Sequence, residues 1–317
     1  MATYKMAFGV QTSLDNVEWK DLVAFWRFID RETKFESVWT FDHYVPPANP
    51  NIQLPCFEGW TALAALAMAS ERVRVGCLVT GVTYRHPSVL AKMAATVDHM
   101  SGGRLEFAIG AAWHEPEHRV YGIPFPPVKE RQDRLEEAVQ LIRMLFRAEG
   151  GTVSFEGKYY RLHDAPFSPP CVQKPHPPIM VGGGGEKRTL RTLAKYGDVM
   201  NVFGTPAIVA QKIRVLEEHC RAVGRDPAEI RKTVSGILIA TDREDLVDRV
   251  APLIGRGMGL SPEEAKRQLP IGTPAHVRSV MEEYAKVGVT GFIMQQQAPF
   301  REDVFRRISD EVVAAFQ

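Results

Sequence analysis

The chain has 317 residues, of which 45% are hydrophobic and 24% charged, which is enough for a large buried core. Because 39 basic residues are balanced by 38 acidic ones, the formal charge is +1, and the basic footprint of a nucleic-acid-binding protein is missing. The longest apolar run, TALAALAMAS, is too short to cross a bilayer and the first residues lack a signal-peptide pattern, so we expect a cytoplasmic protein without a membrane or nucleic-acid partner.

Short β-rich runs alternate with runs of helical period along the chain. The predicted strands are, in order, KMAFGV, ESVWTF, RVRVGCLV, RLEFAIG, PIMV, DVMNVF, TVSGILIA and GFIMQ. A repeated strand–helix order specifies a parallel sheet with crossover helices. Eight such strands favour a closed (β/α)8 TIM barrel over an open doubly wound sheet, and the active site of a barrel lies at the C-terminal ends of its strands.

Two stretches interrupt this alternation. Residues 148–178 are rich in glycine, proline and aromatic residues, and residues 241–272 have a charged, helical pattern. Long insertions in a compact domain are usually lids or binding loops, or else poorly ordered. We therefore predict a single barrel domain over residues 1–317 with insertions at about 148–178 and 241–272.

Four consecutive glycines follow the predicted fifth strand and precede a helix: Gly182, Gly183, Gly184 and Gly185. Glycine is costly to order, so such a run needs a physical reason. Without Cβ atoms, its N–H groups can surround an oxyanion, and the start of the following helix favours negative charge. Lys187 and Arg188 add positive charge. The run predicts a phosphate-binding loop rather than a flexible turn, and it matches neither the Walker nor the dinucleotide pattern.

The second predicted strand ends in Asp42 and His43. A histidine at this end of a barrel can donate or accept a proton near neutral pH, and we expect Asp42 to orient it. The alternative is a histidine that only stabilises a loop. Phe41 and Glu58 are candidate substrate-pocket residues, with Glu58 as a second acid unless it merely caps the next helix.

The loop after the fourth predicted strand contains HEPEH, which matches the H-E-x-x-H pattern of zinc proteases. That motif needs an uninterrupted helix, and Pro116 lies inside it. We therefore predict no metal site, and a zinc hydrolase using His114 and His118 is only a remote alternative. Trp113 and His114 are predicted to line a pocket, and Glu117 is interpreted as a helix cap.

Several long motifs, in the right order, resemble the luciferase-like monooxygenase superfamily. They are VTGVTYRHP, FAIGAAWHEPEHRVYGIPFPP, RLEEAVQLI and PHPPIMVGGGGEKRTLRTLAKYGDVMNVFGTP, and the likeness covers about residues 5 to 240. The chain most resembles the branch of oxidoreductases that depend on the deazaflavin coenzyme F-420. The resemblance implies a (β/α)8 barrel, usually a homodimer, with the cofactor at the C-terminal mouth.

The resemblance also implies positions for the cofactor. The phosphate would lie on the glycine run, and a non-proline cis peptide bond would join Leu78 to Val79 behind the central ring. His43 would lie near the reactive ring carbon. Some relatives carry a glutamate where this chain has Trp113, so their sugar-phosphate specificity is not carried over. The implied cofactor-binding residues are Leu78, Val79, Thr80, Ala111, Gly182 to Gly185, Lys187, Arg188 and Phe203.

The expected reaction is hydride transfer between reduced deazaflavin and an unidentified small organic molecule with an activated C=C, C=O or C=N bond. The protein would position both partners, with His43 as the proton donor or as a positioning residue. The nearest alternative is a two-component monooxygenase that uses FMN on the same barrel.

Overall fold

A computed structural model describes residues 4–317 of the chain. The strands are β1 (Ala7–Thr12), β2 (Ser37–Thr40), β3 (Arg74–Cys77), β4 (Thr80–Gly81), β5 (Leu105–Gly110), β6 (Thr152–Glu156), β7 (Arg161–Pro166), β8 (Ile179–Gly182), β9 (Val199–Val202), β10 (Arg231–Gly236), β11 (Ile239–Ala240), β12 (Ile271–Gly272) and β13 (Gly291–Gln296). The helices are α1 (Trp19–Glu32), α2 (Gly59–Ala69), α3 (Pro87–Met100), α4 (Glu115–Val120), α5 (Val128–Phe146), α6 (Thr189–Tyr196), α7 (Pro206–Ala222), α8 (Glu244–Arg256), α9 (Pro262–Gln268), α10 (Pro274–Lys286) and α11 (Glu302–Glu311).

Parallel pairing closes the sheet into a barrel. The order around it is β1, β2, β3, β5, β8, β9, β10 and β13, and β13 pairs again with β1. The short β4 continues the line of β3 and also pairs with β5. The predicted (β/α)8 barrel is therefore confirmed.

Burial explains why the strands read as short apolar runs. Strands of a parallel barrel are covered by side chains inside and by helices outside, and all six residues of β5 are buried. The helices carry one buried face each. In α1 that face includes Leu22, Trp26 and Ile29, which follow one another at the spacing of three to four residues that an amphipathic helix requires.

Both insertions contain regular structure. The first holds an antiparallel hairpin of β6 and β7, and the second holds α8, α9 and the short strand β12. The second insertion has a small apolar cluster of its own, which includes Ala251, Ala265 and Leu269. Within residues 4–317, none of the helices combines the length and hydrophobicity that a bilayer crossing requires.

Candidate active site

The peptide bond between Leu78 and Val79 is cis, at the position that the family resemblance implied. It lies in the gap between β3 and β4. A methyl group added to Gly110 would come 2.8 Å from one γ-carbon of Val79, and one added to Gly182 would come 2.7 Å from the other. The two glycines at the ends of β5 and β8 therefore leave the room that the Val79 side chain occupies.

A pair of glutamines holds the carbonyl of this bond. The Gln11 side-chain amide donates a hydrogen bond of 2.7 Å to the Leu78 carbonyl oxygen, and Gln295 donates one of 2.8 Å to the Gln11 side-chain oxygen. The next residue, Thr80, is buried and accepts a hydrogen bond of 2.8 Å from the Trp60 indole. The turn after β3 is therefore fixed by side chains from β1, β13 and α2.

The loop after β5 is held by Arg131 on α5. Its guanidinium donates to the carbonyl oxygens of Ala111 and Ala112 and lies 4.0 Å from the centre of the Phe125 ring. Ala112 has a left-handed backbone conformation, with φ of 59°. This anchoring fixes the position of Trp113, the next residue, at the mouth of the barrel.

The glycine run lines an open groove between the starts of α5 and α6. Gly183 has φ of 114°, which favours glycine, and its N–H donates to the Asn201 carbonyl at 3.0 Å. Among residues 4–317, none accepts a hydrogen bond from the N–H groups of Gly184 and Gly185. The prediction that all four glycine amides bind the anion is therefore wrong for Gly183, whose N–H belongs to the sheet.

Positive charge surrounds the same groove, which has a volume of about 690 Å³. Lys212 pairs with Glu186 at 2.9 Å, and Arg188 pairs with Asp133. The groove residues are Val128, Lys129, Gln132, Gly184, Gly185, Glu186, Lys187, Arg188, Thr189 and Lys212. Four of these ten are cationic and one is anionic, so the groove favours an anionic ligand. Phe203 follows β9 at the same end of the barrel and is 54% exposed.

His43 is oriented by Glu117 and not by Asp42. The His43 Nδ1 atom lies 2.7 Å from a Glu117 carboxylate oxygen, and the Glu117 side chain is fully buried. The Asp42 carboxylate instead bonds Arg85 and accepts from the Gly81 amide at 3.1 Å. Because the Asp42 carboxylate is committed to Arg85 and the Gly81 amide, the prediction that Asp42 orients His43 is wrong.

Glu117 accepts hydrogen bonds from three donors. Besides His43, these are the Tyr84 hydroxyl and the Tyr44 amide, the latter at 2.9 Å. Burial acts to raise the pKa of Glu117, but the hydrogen bonds from His43, Tyr84 and Tyr44 outweigh it and lower the pKa. An ionised carboxylate only accepts hydrogen bonds, so His43 Nδ1 carries a proton. The hydrogen bond to Glu117 therefore uses Nδ1 and not the other ring nitrogen, Nε2.

Glu58 serves as the N-cap of α2. Its carboxylate accepts from the amides of Trp60 and Thr61 and pairs with Arg85 at 2.6 Å. Burial acts to raise the pKa of Glu58, but the hydrogen bonds from Thr61 and Trp60 and the charge of Arg85 lower it below its ordinary value. The prediction of Glu58 as a second acid of the substrate pocket is therefore wrong, because its oxygens are committed to the helix cap and to Arg85.

Aromatic rings surround His43. The ring centre of His43 lies 5.4 Å from that of Phe41, 5.5 Å from that of Trp113 and 5.6 Å from that of His114. Phe41 and His114 are buried, whereas Trp113 is 63% exposed. Burial lowers the pKa of His114, whose Nδ1 lies 3.4 Å from Glu117. The structure thus brings Phe41, His43, Trp113 and His114 together.

Residues 6–316 match the model of the family described as luciferase-like monooxygenase. The chain belongs to the luciferase-like monooxygenase family.

Two curated relatives are similar to this chain over part of their length. A phthiodiolone/phenolphthiodiolone dimycocerosates ketoreductase of Mycobacterium tuberculosis is 31% identical over 216 residues, which are 67% of this chain and 54% of that protein. An F420-dependent glucose-6-phosphate dehydrogenase of Amycolatopsis mediterranei is 33% identical over 174 residues, 55% of this chain and 50% of that protein. The chain thus spans about half the length of the curated relatives it matches.

Solved structures of other proteins have the same fold. An F420-dependent secondary alcohol dehydrogenase in complex with an F420–acetone adduct superposes with a TM-score of 0.83, at 22% identity over 99% of both chains. The EDTA monooxygenase EmoA of Chelativorans superposes with a TM-score of 0.80, at 17% identity over 99% of this chain and 93% of that one. At these identities the likeness shows the fold alone.

In this luciferase-like barrel, the two histidines of HEPEH do not converge. The ring nitrogens of His118 are both engaged, one with the Thr83 hydroxyl at 2.7 Å and the other with the His114 carbonyl at 2.8 Å. His118 therefore fastens α4 to the loop after β4, which contradicts the alternative of a zinc hydrolase using His114 and His118. Donor atoms of His43, His114 and Glu117 do lie within 4.8 Å of one another, but the carboxylate there is already saturated by hydrogen-bond donors.

Sequence reasoning missed Glu117 as the partner of His43. The available signal was its spacing from His114, since residues three apart share one face of a helix. Pro116 lies in the first turn of α4, and the side chains of His114 and Glu117 meet there, with Nδ1 of His114 3.4 Å from the Glu117 carboxylate. Tyr84 and Arg85 were also missed, although both lie in the family motif VTGVTYRHP.

Proposed function

We propose that this luciferase-like chain is a coenzyme F-420-dependent oxidoreductase. It transfers a hydride between the deazaflavin and a small organic molecule with an activated C=C, C=O or C=N bond. The relatives named as F420-dependent enzymes and as a ketoreductase support this reaction class. The observation that carries the proposal is that one end of the barrel holds both a cationic groove with free amide donors and a histidine fixed by a buried carboxylate.

The residues present fit the anionic tail of this cofactor. The amides of Gly184 and Gly185, together with Lys187 and Arg188, supply N–H donors and positive charge to a phosphate. The turn formed by Leu78 and Val79, followed by Thr80, presents backbone and apolar surface for a flat ring, with Ala111 after the neighbouring strand β5 and Phe203 after β9 at the same end of the barrel. When bound, the reduced cofactor supplies the hydride, and the protein supplies binding and orientation.

His43 supplies the proton. Its Nδ1–H is held by Glu117, so its Nε2 faces away from the carboxylate and carries the proton that is exchanged with the substrate. The negative charge of Glu117 stabilises the imidazolium form that donates this proton. The His43 side chain is only 13% exposed, so water competes little for the Nε2 proton. Asp42 is a positioning residue that holds Arg85 and the Gly81 amide.

Binding titrations of the purified chain with F-420 and with FMN, followed by fluorescence, test the proposal. We expect tighter binding of F-420. Reduced F-420 should be consumed without oxygen by members of a panel of enones, ketones and imines. The variant His43→Gln should lose this turnover, whereas His163→Gln, which changes a histidine whose side chain is 80% exposed on the β6–β7 hairpin, should retain it.

An FMN-dependent two-component monooxygenase is the second candidate, which the fold shared with EDTA monooxygenase favours. Oxygen-dependent product formation with reduced FMN, and none with F-420, would contradict our proposal and support this one. We extend the proposal to a cytoplasmic homodimer, for which light scattering should give about twice the chain mass of 35.5 kDa.

A further inference from the structure

Trp113 presents a large apolar surface beside the proposed proton donor. Its side chain is 63% exposed, although its ring centre lies only 5.5 Å from that of His43 and 5.0 Å from that of His114. The loop is fixed in place, because Arg131 bonds the two preceding carbonyl groups. The Trp113 ring therefore offers a fixed aromatic wall beside His43 and His114, which is the kind of side chain that lines ligand sites.

Carboxylates surround Tyr44, the residue that follows His43. Three of them, on Asp42, Glu58 and Glu117, act on the Tyr44 side chain, and Glu117 also holds His43 itself. Among the residues that the structure describes, Arg85 is the only lysine or arginine that pairs with any of the three. The side chain of Arg85 is 12% exposed, and its terminal nitrogens bond Asp42 and Glu58. In the described part of the chain, the one cation paired with these carboxylates is therefore already committed, and it is not available to an anionic group of a substrate.

Burial is the largest cause that raises the pKa of Tyr44 to about 12. The charge of Arg85 acts against this rise, and the carboxylates of Asp42, Glu58 and Glu117 add to it. An anionic group of a substrate bound here would lose its hydration beside these carboxylates and would gain no ion-pair partner. Its binding would therefore be unfavourable in free energy. The cations of the glycine groove belong to the other part of the site, where the cofactor tail is proposed to bind.

We infer that the substrate is an uncharged, planar carbonyl compound whose π-system stacks on the Trp113 indole, and not a phosphate or carboxylate. This inference rests on the proposed function and names its substrate class. Stacking on an aromatic face holds a flat molecule through its apolar area, and a carbonyl oxygen accepts the proton that His43 carries. Neither contact requires charge on the substrate.

Two probes of equal size separate charge from shape: 4-acetylbenzamide, which is neutral, and 4-acetylbenzoate, which is anionic. Binding of each to the full chain is measured by ligand-observed NMR, with and without F-420. We expect the amide to bind at least about tenfold more tightly than the carboxylate. Trp113→Ala should weaken amide binding by about tenfold and Trp113→Phe by less, because a phenyl ring retains part of the stacking surface.

Met68→Ala is the matched control, since Met68 is a 66% exposed apolar residue on the outer helix α2. It should leave the affinity for the amide unchanged. Equal or tighter binding of the carboxylate, binding of neither probe, or an unchanged affinity in Trp113→Ala would each overturn the inference. The proposed function fails separately, if the chain does not bind F-420 in the fluorescence titration.

Discussion

Replacing Glu117 with glutamine tests the proton-donor assignment most directly, because the side chain keeps its size and loses its charge. In the wild type, one oxygen accepts from His43 and Tyr84, and the other accepts from the Tyr44 amide at 2.9 Å. A glutamine offers one acceptor oxygen and one NH₂ group. Whichever way it turns, its NH₂ group meets a donor that the carboxylate had satisfied.

The size of the effect follows from these bonds. A hydrogen bond to a charged group contributes about 1.5–3 kcal/mol, and an unsatisfied buried donor costs about 1–3 kcal/mol. If the hydrogen bond to the charged carboxylate, at about 1.5–3 kcal/mol, is lost only from the imidazolium form of His43, turnover with reduced F-420 should fall roughly 10- to 150-fold. The KM for the substrate should change little, because Glu117 does not contact it in our proposal.

Single-turnover oxidation of reduced F-420, followed by absorbance, measures this loss. Tyr84→Phe is the matched control, since it removes one donor to Glu117 and keeps the negative charge beside His43. It should reduce turnover by much less. If Glu117→Gln kept wild-type turnover while remaining folded, or if Tyr84→Phe lost as much, then charge on Glu117 would not assist His43 and the assignment would be refuted.

Acid stability gives an independent check on the same carboxylate. The pKa of Glu117 in the folded chain is lower than its ordinary value of 4.5, so the unfolded chain binds more protons. The stabilisation by Glu117 is therefore complete above about pH 4.5 and is lost as the pH falls further. Denaturant midpoints measured between about pH 6 and pH 3 should fall less steeply for Glu117→Gln than for the wild type.

Three further substitutions follow from contacts in the site. Gly182→Ala places a methyl group 2.7 Å from Val79, so it should displace that side chain, weaken F-420 binding by at least about tenfold in a fluorescence titration and lower the unfolding free energy by about 1–3 kcal/mol. Asp42→Asn removes one of the two ionic partners of Arg85 and leaves Glu58, so it should lower the unfolding free energy in urea by about 1–3 kcal/mol; wild-type stability of the variant would contradict this expectation. Lys187→Ala should weaken F-420 binding and reduce its dependence on salt, and an unchanged salt dependence would place the anionic tail elsewhere.

The barrel could be predicted because each strand is a short apolar run that a helix follows, and local sequence carries that pattern. Two strands show the limits of this signal. RVRVGCLV was predicted as one strand, but it is interrupted between Cys77 and Thr80 by the cis bond. TVSGILIA was also predicted as one strand, but its end, Ile239–Ala240, leaves the barrel to pair with β12 of the second insertion. In the second case, a pairing partner far along the chain decided where the strand ends.

The candidate site was predictable only where a residue with suitable chemistry directly follows a predicted strand, as His43 and the glycine run do. The partner of His43 was not, because Glu117 lies 74 residues away on a helix whose direction depends on packing. Asp42 looked like the natural partner because it is adjacent in sequence. Adjacency in sequence does not make two side chains partners, and Asp42 instead meets Arg85, 43 residues away.

The segment between β5 and α5 carries Trp113, His114 and Glu117 on a single connection. A transplant of this one connection between related barrels would therefore move the stacking surface and the anchor of the proton-carrying imidazole together. Replacing only its first residues would change which molecules fit and leave the acid–base pair intact. For engineers of new reductases, the first few positions after β5 are thus the place to vary, and the short helix behind them is the part to keep.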